Sequence, residues 1–233
     1  MNEKANRISE IFKGILAIFL YFFLSSFPQL FIKILGINFY NLNNIFRQIY
    51  LILYELFITI LILYIYKKDI IPNFKNFKSK IKEYINKYIK YWFIMLGLMI
   101  LSNFIITLFT TTKVSNNQSD IIKLLGEYPI YTFFATVLFA PILEELIFRL
   151  SIKKIFNNDT LFIIISGLLF GSLHVIGNFN SLIDLLFIIP YSIPGFIFAY
   201  LYSKSKNICV PIGLHFLHNS VMILLQIIVT FIG

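Results

Sequence analysis

The sequence predicts an all-α membrane protein, a bundle of about seven transmembrane helices (six to eight) with an amphipathic helix in one cytoplasmic loop. The chain of 233 residues is 58% hydrophobic and only 13% charged, and its mean hydropathy is +0.82. Soluble domains are about one quarter charged. Several apolar runs are long enough to cross a ~30 Å hydrocarbon core as a helix. The length leaves no room for a separate soluble domain.

The apolar runs predict the helices in order. The first lacks a small-residue cleavage site, which indicates a retained span and not a cleaved signal peptide. In the fifth, Gly167, Gly171 and Gly177 predict close approach of a neighbouring helix. In the sixth, Pro190 and Pro194 predict a kink or a break. The predicted spans lie near residues 13–36, 48–66, 91–112, 129–151, 160–178, 182–203 and 208–232.

The basic residues predict the orientation. Sixteen of the 20 lysines and arginines fall on the same side of the membrane as the N-terminus. The positive-inside rule therefore places the N-terminus in the cytoplasm. The other side keeps Lys33, Arg47, Lys113 and Lys123. Eight of the sixteen are lysines of the 67–90 loop, where apolar residues recur at helical spacing, so we expect an amphipathic helix on the inner leaflet. A partner-docking site is the alternative for that loop.

Other classes of protein find no support in the sequence. The net charge of +9 is explained by topology and anionic lipid, and no phosphate loop or nucleic-acid module is visible, so we expect no nucleic-acid partner. The single cysteine, Cys209, excludes an internal disulfide and a four-cysteine zinc site. The abundance of Ile, Asn, Lys, Phe and Tyr is typical of an AT-rich bacterial genome, so we expect a bacterial cell membrane.

Ionisable residues inside spans are functional candidates by default, because they are costly to bury there. Glu145 and Arg149 are spaced i,i+4, the favourable order for an ion pair on one helix face. Glu144 points about 100° away and is free to face a cavity as a general base. His215 and Asn219 share a face and could donate hydrogen bonds to an oxyanion. The remaining candidate, His174, lies on the fifth predicted span, two spans before the one that carries His215 and Asn219.

Three further polar residues in spans carry less weight. His218 is read as a packed histidine, with a metal ligand or a supporting donor as the alternatives. Glu55 either reaches the outer interface or lines the cavity. Asp184, near an outer helix end, is expected to be solvated.

Three motifs occur in order on these helices: EELIFR at residues 144–149, FGSLH at 170–174 and HFLHN at 215–219. This set resembles the CPBP intramembrane proteases, a family that includes CAAX prenyl proteases, bacteriocin-processing enzymes and Abi-type proteins. The resemblance covers residues 130–222. It divides the chain into a variable N-terminal part, 1–128, and a CPBP-like catalytic helical core, 129–233.

The resemblance implies a role for each motif residue. Glu144 and His174 would activate a water molecule for attack on a peptide carbonyl, and His215 and Asn219 would stabilise the oxyanion. Glu145 and Arg149 would hold the geometry. A supporting role also falls to Phe170.

The cofactor is left between two alternatives. A metal-free, glutamate-dependent mechanism is favoured, because the H-E-x-x-H zinc motif is absent. In the alternative, Glu144, His174 and His215 would hold a divalent metal such as zinc.

The resulting hypothesis is an intramembrane endopeptidase that cleaves a membrane-associated peptide or a membrane-tethered protein. Its cavity is expected to open to the cytoplasm or the inner leaflet. The alternative is a non-enzymatic protein, a bacteriocin-immunity or scaffold protein. A small transporter would be favoured by inverted repeats between the halves, and none is visible.

Overall fold

The computed structural model describes residues 3–110, 114–177 and 180–232, so the predicted outer residue Lys113 lies outside the described residues. Within these ranges the chain forms helices and no strands, which confirms the all-α prediction. The α-helices are α1 (Glu3–Ser25), α2 (Leu30–Ile34), α3 (Asn44–Ile65), α4 (Lys67–Ser79), α5 (Ile81–Phe109), α6 (Asn116–Glu127), α7 (Pro129–Ile155), α8 (Asp159–Ile176), α9 (Ile188–Ser205) and α10 (Cys209–Ile232). Two 3₁₀ turns, Phe39–Asn41 and Leu182–Phe187, complete the described elements.

Seven helical segments of the described chain are long and apolar enough to cross a membrane. They are α1, α3, α5, α7, α8, α10, and α9 together with the 3₁₀ turn before it. Large apolar side chains cover the outside of the bundle; Phe12, Phe93 and Leu224 are 65%, 61% and 57% exposed. A soluble protein would bury most of these groups, so the chain is a multi-pass membrane protein whose outer faces contact lipid.

The first span differs from the prediction of 13–36. Helix α1 begins ten residues earlier, at Glu3, and ends at Ser25. Pro28 explains the end, because proline has no N–H for the helix and disfavours helical backbone in the residue before it. Arg7 explains part of the early start, because its guanidinium donates to the carbonyl of Ile155 at 2.9 Å and so holds the first turns against α7.

The predicted loop helix over 67–90 is present but divided. Helix α4 ends at Ser79, and residues 81–90 of the loop belong to α5, which continues into the membrane. The turn brings Phe77 and Tyr84 into a stacked pair with ring centroids 5.8 Å apart. The Tyr84 hydroxyl also donates to Asn76 Oδ1 at 2.6 Å. These contacts across the turn favour the break over a continuous helix.

Two of the three predicted glycine contacts are present, between α8 and α9. A Cβ on Gly171 would lie 2.7 Å from the backbone nitrogen of Ser192. A Cβ on Gly167 would lie 2.1 Å from the ring of Phe196. The prediction is wrong for Gly177, which has open space around it. Helix α9 continues through both of its prolines, and the change from 3₁₀ to α geometry comes just before them, at residue 188.

Asp184 is buried, so the expectation that it is solvated is wrong. Its side chain is 7% exposed, and Oδ2 accepts the backbone N–H groups of Asn180 and Ser181 at 2.8 and 2.9 Å. The Asn116 amide donates to the same oxygen at 3.2 Å. A carboxylate here satisfies backbone donors that precede the 3₁₀ turn, which local sequence spacing does not reveal.

The two ends of the bundle are built differently. The basic end consists of residues 3–13, 66–80, 151–159 and 203–209, and the polar end consists of residues 25–28, 114–121, 128–131, 190–191 and 222–226. The chain runs between them in alternation, so every described span joins the basic end to the polar end. The candidate active site lies between these two ends.

Candidate active site

A cavity of about 680 Å³ runs from the middle of the bundle to the polar end. It reaches the surface at Ser25 and Val114, which are both exposed. Its walls include five polar residues of the three motif segments: Glu144, His174, His215, His218 and Asn219. Within the described chain, none of its lining residues comes from the basic end.

Helix α7 supplies the carboxylates, and its ends are fixed by other helices. The amide oxygen of Gln48, on α3, accepts the backbone N–H groups of Ile130 and Tyr131 at 2.9 and 3.2 Å and so caps the first turn. The segments Phe134–Phe139 and Glu145–Ser151 are π-helical. Such turns are rare and occur frequently at functional sites.

Glu145 and Arg149 form the predicted ion pair inside the second π-helical segment. Both side chains are fully buried, and Arg149 Nε lies 3.0 Å from Glu145 Oε2. The guanidinium also lies over the ring of Phe170, 4.6 Å from its centroid. Neither charged group lines the cavity, so the pair holds the wall of the site and does not face its interior.

His215 lies between two carboxylates. Its Nδ1 is 2.9 Å from Glu145 Oε1, and its Nε2 is 3.8 Å from Glu144 Oε2. A carboxylate paired with arginine accepts, so we assign the Nδ1 proton to the hydrogen bond with Glu145. The 3.8 Å separation is too long for a direct hydrogen bond and leaves Glu144 free to bind water or substrate.

His174 is held by its own helix and by an aromatic neighbour. Its Nδ1 lies 2.8 Å from the carbonyl oxygen of Phe170, which can only accept, so Nδ1 carries a proton. Tyr191 of α9 stacks on the ring with centroids 5.0 Å apart. In the neutral ring, Nε2 is therefore the nitrogen that can take up a proton or bind a water hydrogen.

Phe170 brings the two motif histidines to one site. The ring of His174 lies 4.5 Å from its centroid and that of His215 lies 6.0 Å away. In straight helices, the residue count would put His174 about 10 Å further from the inner face than Glu144. The cavity nevertheless includes both side chains.

Asn219 and His218 complete the wall on α10. Asn219 uses one N–H on the carbonyl oxygen of Thr136, at 2.8 Å, and keeps the second for a ligand. His218 is 7% exposed, and its Nδ1 has no hydrogen-bond partner among the described residues.

Sequence reasoning missed part of the cavity wall. Glu55 lines the cavity and accepts a hydrogen bond from Tyr131 at 3.1 Å, so the second of its two alternatives holds. Tyr191 carried no signal, because an aromatic residue between two prolines of an apolar run is ordinary. The acid in an apolar span was the only signal that could have found this part of the wall.

The prediction of the side on which the cavity opens, relative to the N-terminus, is wrong. The cavity was expected on the N-terminal side of the membrane, whereas it opens at the polar end, away from Glu3. The physical reason is the packing of the basic end, where ion pairs and hydrogen bonds occupy the space between helices.

The side chains of the site do not form a metal site in this arrangement. Within the described residues, no three His, Cys, Asp or Glu side chains converge closely enough to hold a metal ion. Glu144, His174 and His215 line one cavity but do not form a ready ligand set in this arrangement.

Comparisons with known proteins agree with the motifs. Residues 126–221 match the family model described as Rce1-like, type II CAAX prenyl endopeptidases. The putative membrane peptidase YdiL of Bacillus subtilis is 31% identical over 118 residues, which cover 49% of this chain and 45% of that relative. The membrane-embedded CAAX protease MroQ of Staphylococcus aureus is 28% identical over 236 residues, 95% of this chain and 92% of that relative. No solved structure matches.

Proposed function

Because residues 126–221 of this chain belong to the Rce1-like family of the CPBP membrane proteases, we propose that the protein is an intramembrane endopeptidase that uses Glu- and His-activated water. MroQ, a relative matched over most of its length, is named a CAAX protease, and YdiL a putative membrane peptidase. The substrate is a membrane-associated peptide or a membrane-tethered protein.

The observation that supports this function is the shared cavity. Glu144, His174 and His215 come from three helices and line one cavity inside the bundle, with a further acid-arginine pair buried behind them. A core built for stability alone would fill this space with apolar side chains, since buried ion pairs add little to stability.

Hydrolysis begins with a water molecule between Glu144 and His174. Glu144 accepts a proton as the water oxygen forms a bond to the peptide carbonyl carbon, and His174 Nε2 orients the water. The carbonyl oxygen becomes an oxyanion. When the carbon–nitrogen bond breaks, Glu144 returns the proton to the leaving amine, so the carboxylate is regenerated.

The oxyanion is stabilised from α10. Asn219 donates its free amide N–H, and His215 donates through Nε2. Since His215 already gives its Nδ1 proton to Glu145, this second donation requires the imidazolium form of the ring. Glu145 supplies the carboxylate that offsets its charge, and Arg149 holds that carboxylate in place.

The test compares peptide termini in membranes of cells that produce the wild type or Glu144→Gln at equal levels. Glutamine keeps the shape of the side chain and cannot accept the proton. The matched control is Glu127→Gln, because Glu127 is an exposed acid at the end of α6.

Proteolysis predicts new termini with the wild type and Glu127→Gln that disappear with Glu144→Gln. Identical termini in all three would overturn the proposal and favour the non-enzymatic immunity or scaffold function. Once a cleaved peptide is known, cleavage by the purified protein with and without a chelator decides between the two cofactor alternatives. We expect an unchanged rate with chelator.

A further inference from the structure

Among the described residues that line the cavity, the exposed ones lie at the polar end. Its exposed rim includes Ser25 at the end of α1 and Val114 before α6. Helix α6 lies beside this rim, where Gln118 donates to Gln226 of α10 at 3.3 Å. The rim is hydrophilic as well as open, so water and a peptide backbone can enter it.

The rim is connected to the site by hydrogen bonds. The Tyr191 hydroxyl lies 2.7 Å from Ser115 Oγ and accepts from the Asn117 amide at 3.1 Å. The same tyrosine ring stacks on His174. The polar end therefore leads directly to the side chain that orients the water.

The basic end is closed by ionic contacts. Asp69 of α4 receives hydrogen bonds from Lys13 at 2.8 Å and from Lys154 at 2.9 Å, which ties three helices together. The Tyr66 hydroxyl lies 2.6 Å from Ser151 Oγ, in full burial.

Helix α4 covers the start of α10 in the same way. Asn73 accepts the Ile208 backbone N–H at 2.8 Å and the Asn207 amide at 2.9 Å. Phe77 lies 3.6 Å from the position of a Cβ on Gly213. A peptide arriving from the basic end would have to break this network.

The charge distribution gives each end a side of the membrane. Twelve of the 20 lysines and arginines lie at the basic end, and Lys82, Lys87 and Lys90 follow in the first turns of α5. The positive-inside rule places this end in the cytoplasm. The polar end is then extracytoplasmic.

We propose that the site accepts its substrate from the extracytoplasmic side, so that the substrate is a peptide segment exported to, or exposed at, the outer face of the membrane. That the cavity binds a substrate rests on the proposed function, whereas the direction of access rests on geometry and charge alone. A cytoplasmic protein tail would meet the closed end and not the cavity.

The test uses single cysteines and a charged, membrane-impermeant methanethiosulfonate reagent. The native thiol is first removed by Cys209→Ser. Ala140→Cys then places a thiol on the cavity wall, one turn before Glu144, at a position outside the proposed catalytic set. The matched control is Ser79→Cys, an exposed position of α4 at the basic end.

In intact spheroplasts we expect the reagent to modify Ala140→Cys and not Ser79→Cys. In inverted vesicles we expect the reverse. Modification of Ala140→Cys only in inverted vesicles would overturn the inference, and so would modification of Ser79→Cys only in intact spheroplasts.

Access and catalysis fail separately in this design. The labelling is repeated with Glu144→Gln added, which leaves the reagent's path unchanged. Outer-side labelling without any protein-dependent termini would leave the direction of access standing and remove the protease. New termini with inner-side labelling would support the protease and overturn the direction of access. If the Ala140→Cys protein does not accumulate, Asn103→Cys replaces it, because Asn103 of α5 also lies on the cavity wall. The expected labelling is the same.

Discussion

The basic end and the cavity of this bundle use polar residues in opposite ways. At the basic end each polar group described above has a partner on another helix, as in the contacts of Asp69 with Lys13 and Lys154. In the cavity, by contrast, the second N–H of Asn219 and the carboxylate of Glu144 are left for a ligand. The contrast separates residues that hold the fold from residues that perform the chemistry.

Arg149→Met gives the largest expected effect on stability. It removes the cation from the fully buried Glu145 carboxylate and leaves only the hydrogen bond from His215, which costs about 3–5 kcal/mol. The measurement is the free energy of unfolding in mixed detergent micelles. In the control Lys153→Met, a partly exposed pair with Asp159 is lost, and the expected change is about 0–1 kcal/mol. Equal losses in both variants would remove the distinction between the buried pair and a surface pair.

Gly171→Ala has the next largest effect, through the close packing of α8 on α9. The added methyl group would lie 2.7 Å from Ser192 N and 2.8 Å from the Ile188 carbonyl oxygen, so backbone has to move at a cost of about 1–3 kcal/mol. Gly97→Ala is the matched control, because no atom lies within 4 Å of the new carbon. Unfolding in the same micelles should show destabilisation in the first variant alone.

Asp69→Asn tests the closed end and its pH dependence. Burial alone would raise the pKa of Asp69, but hydrogen bonds from Lys13 and Lys154 outweigh it and lower that pKa. The carboxylate therefore stabilises the fold fully above the ordinary carboxyl pKa, and this contribution is lost as the pH falls through the lowered value.

We expect Asp69→Asn to lose about 1–2 kcal/mol at neutral pH. The difference between the two proteins should shrink as the pH falls. A difference that stays constant with pH would show that the charge of Asp69 does not stabilise the basic end.

Asn103→Ala has the smallest expected effect. Asn103 lines the cavity, and its amide donates only to Met99 of its own helix among the described contacts, at 2.9 Å. The change in unfolding free energy should stay within about 0.5 kcal/mol. A loss comparable to that of Asp69→Asn would mean that the polar groups of the cavity wall also hold the fold.

The sequence predicted the parts of the site that depend on helical spacing. The i,i+4 pair of Glu145 and Arg149 is an example, because its geometry is local. It did not predict that Glu145 also binds His215, since that contact depends on how α7 and α10 cross. The side of the bundle on which the cavity opens was missed for the same reason.

The end of α1 was missed even though a local breaker fixes it. Pro28 explains where α1 stops once the structure is known, although the apolar run continues past it. The turn between α4 and α5 has no such breaker and is set by the contacts of Phe77 and Asn76 with Tyr84.

The cleavage rate of Glu144→Gln tests the central claim most directly. The purified wild type and variant, in lipid nanodiscs, are given the peptide that the comparison of termini identifies. We predict a fall in rate of about 10²–10⁴-fold, because the group that accepts the proton from water is lost. The unfolding free energy of the variant should match that of the wild type. A wild-type rate in the variant would contradict the account, since the cavity would then perform its chemistry without its one free carboxylate next to His215.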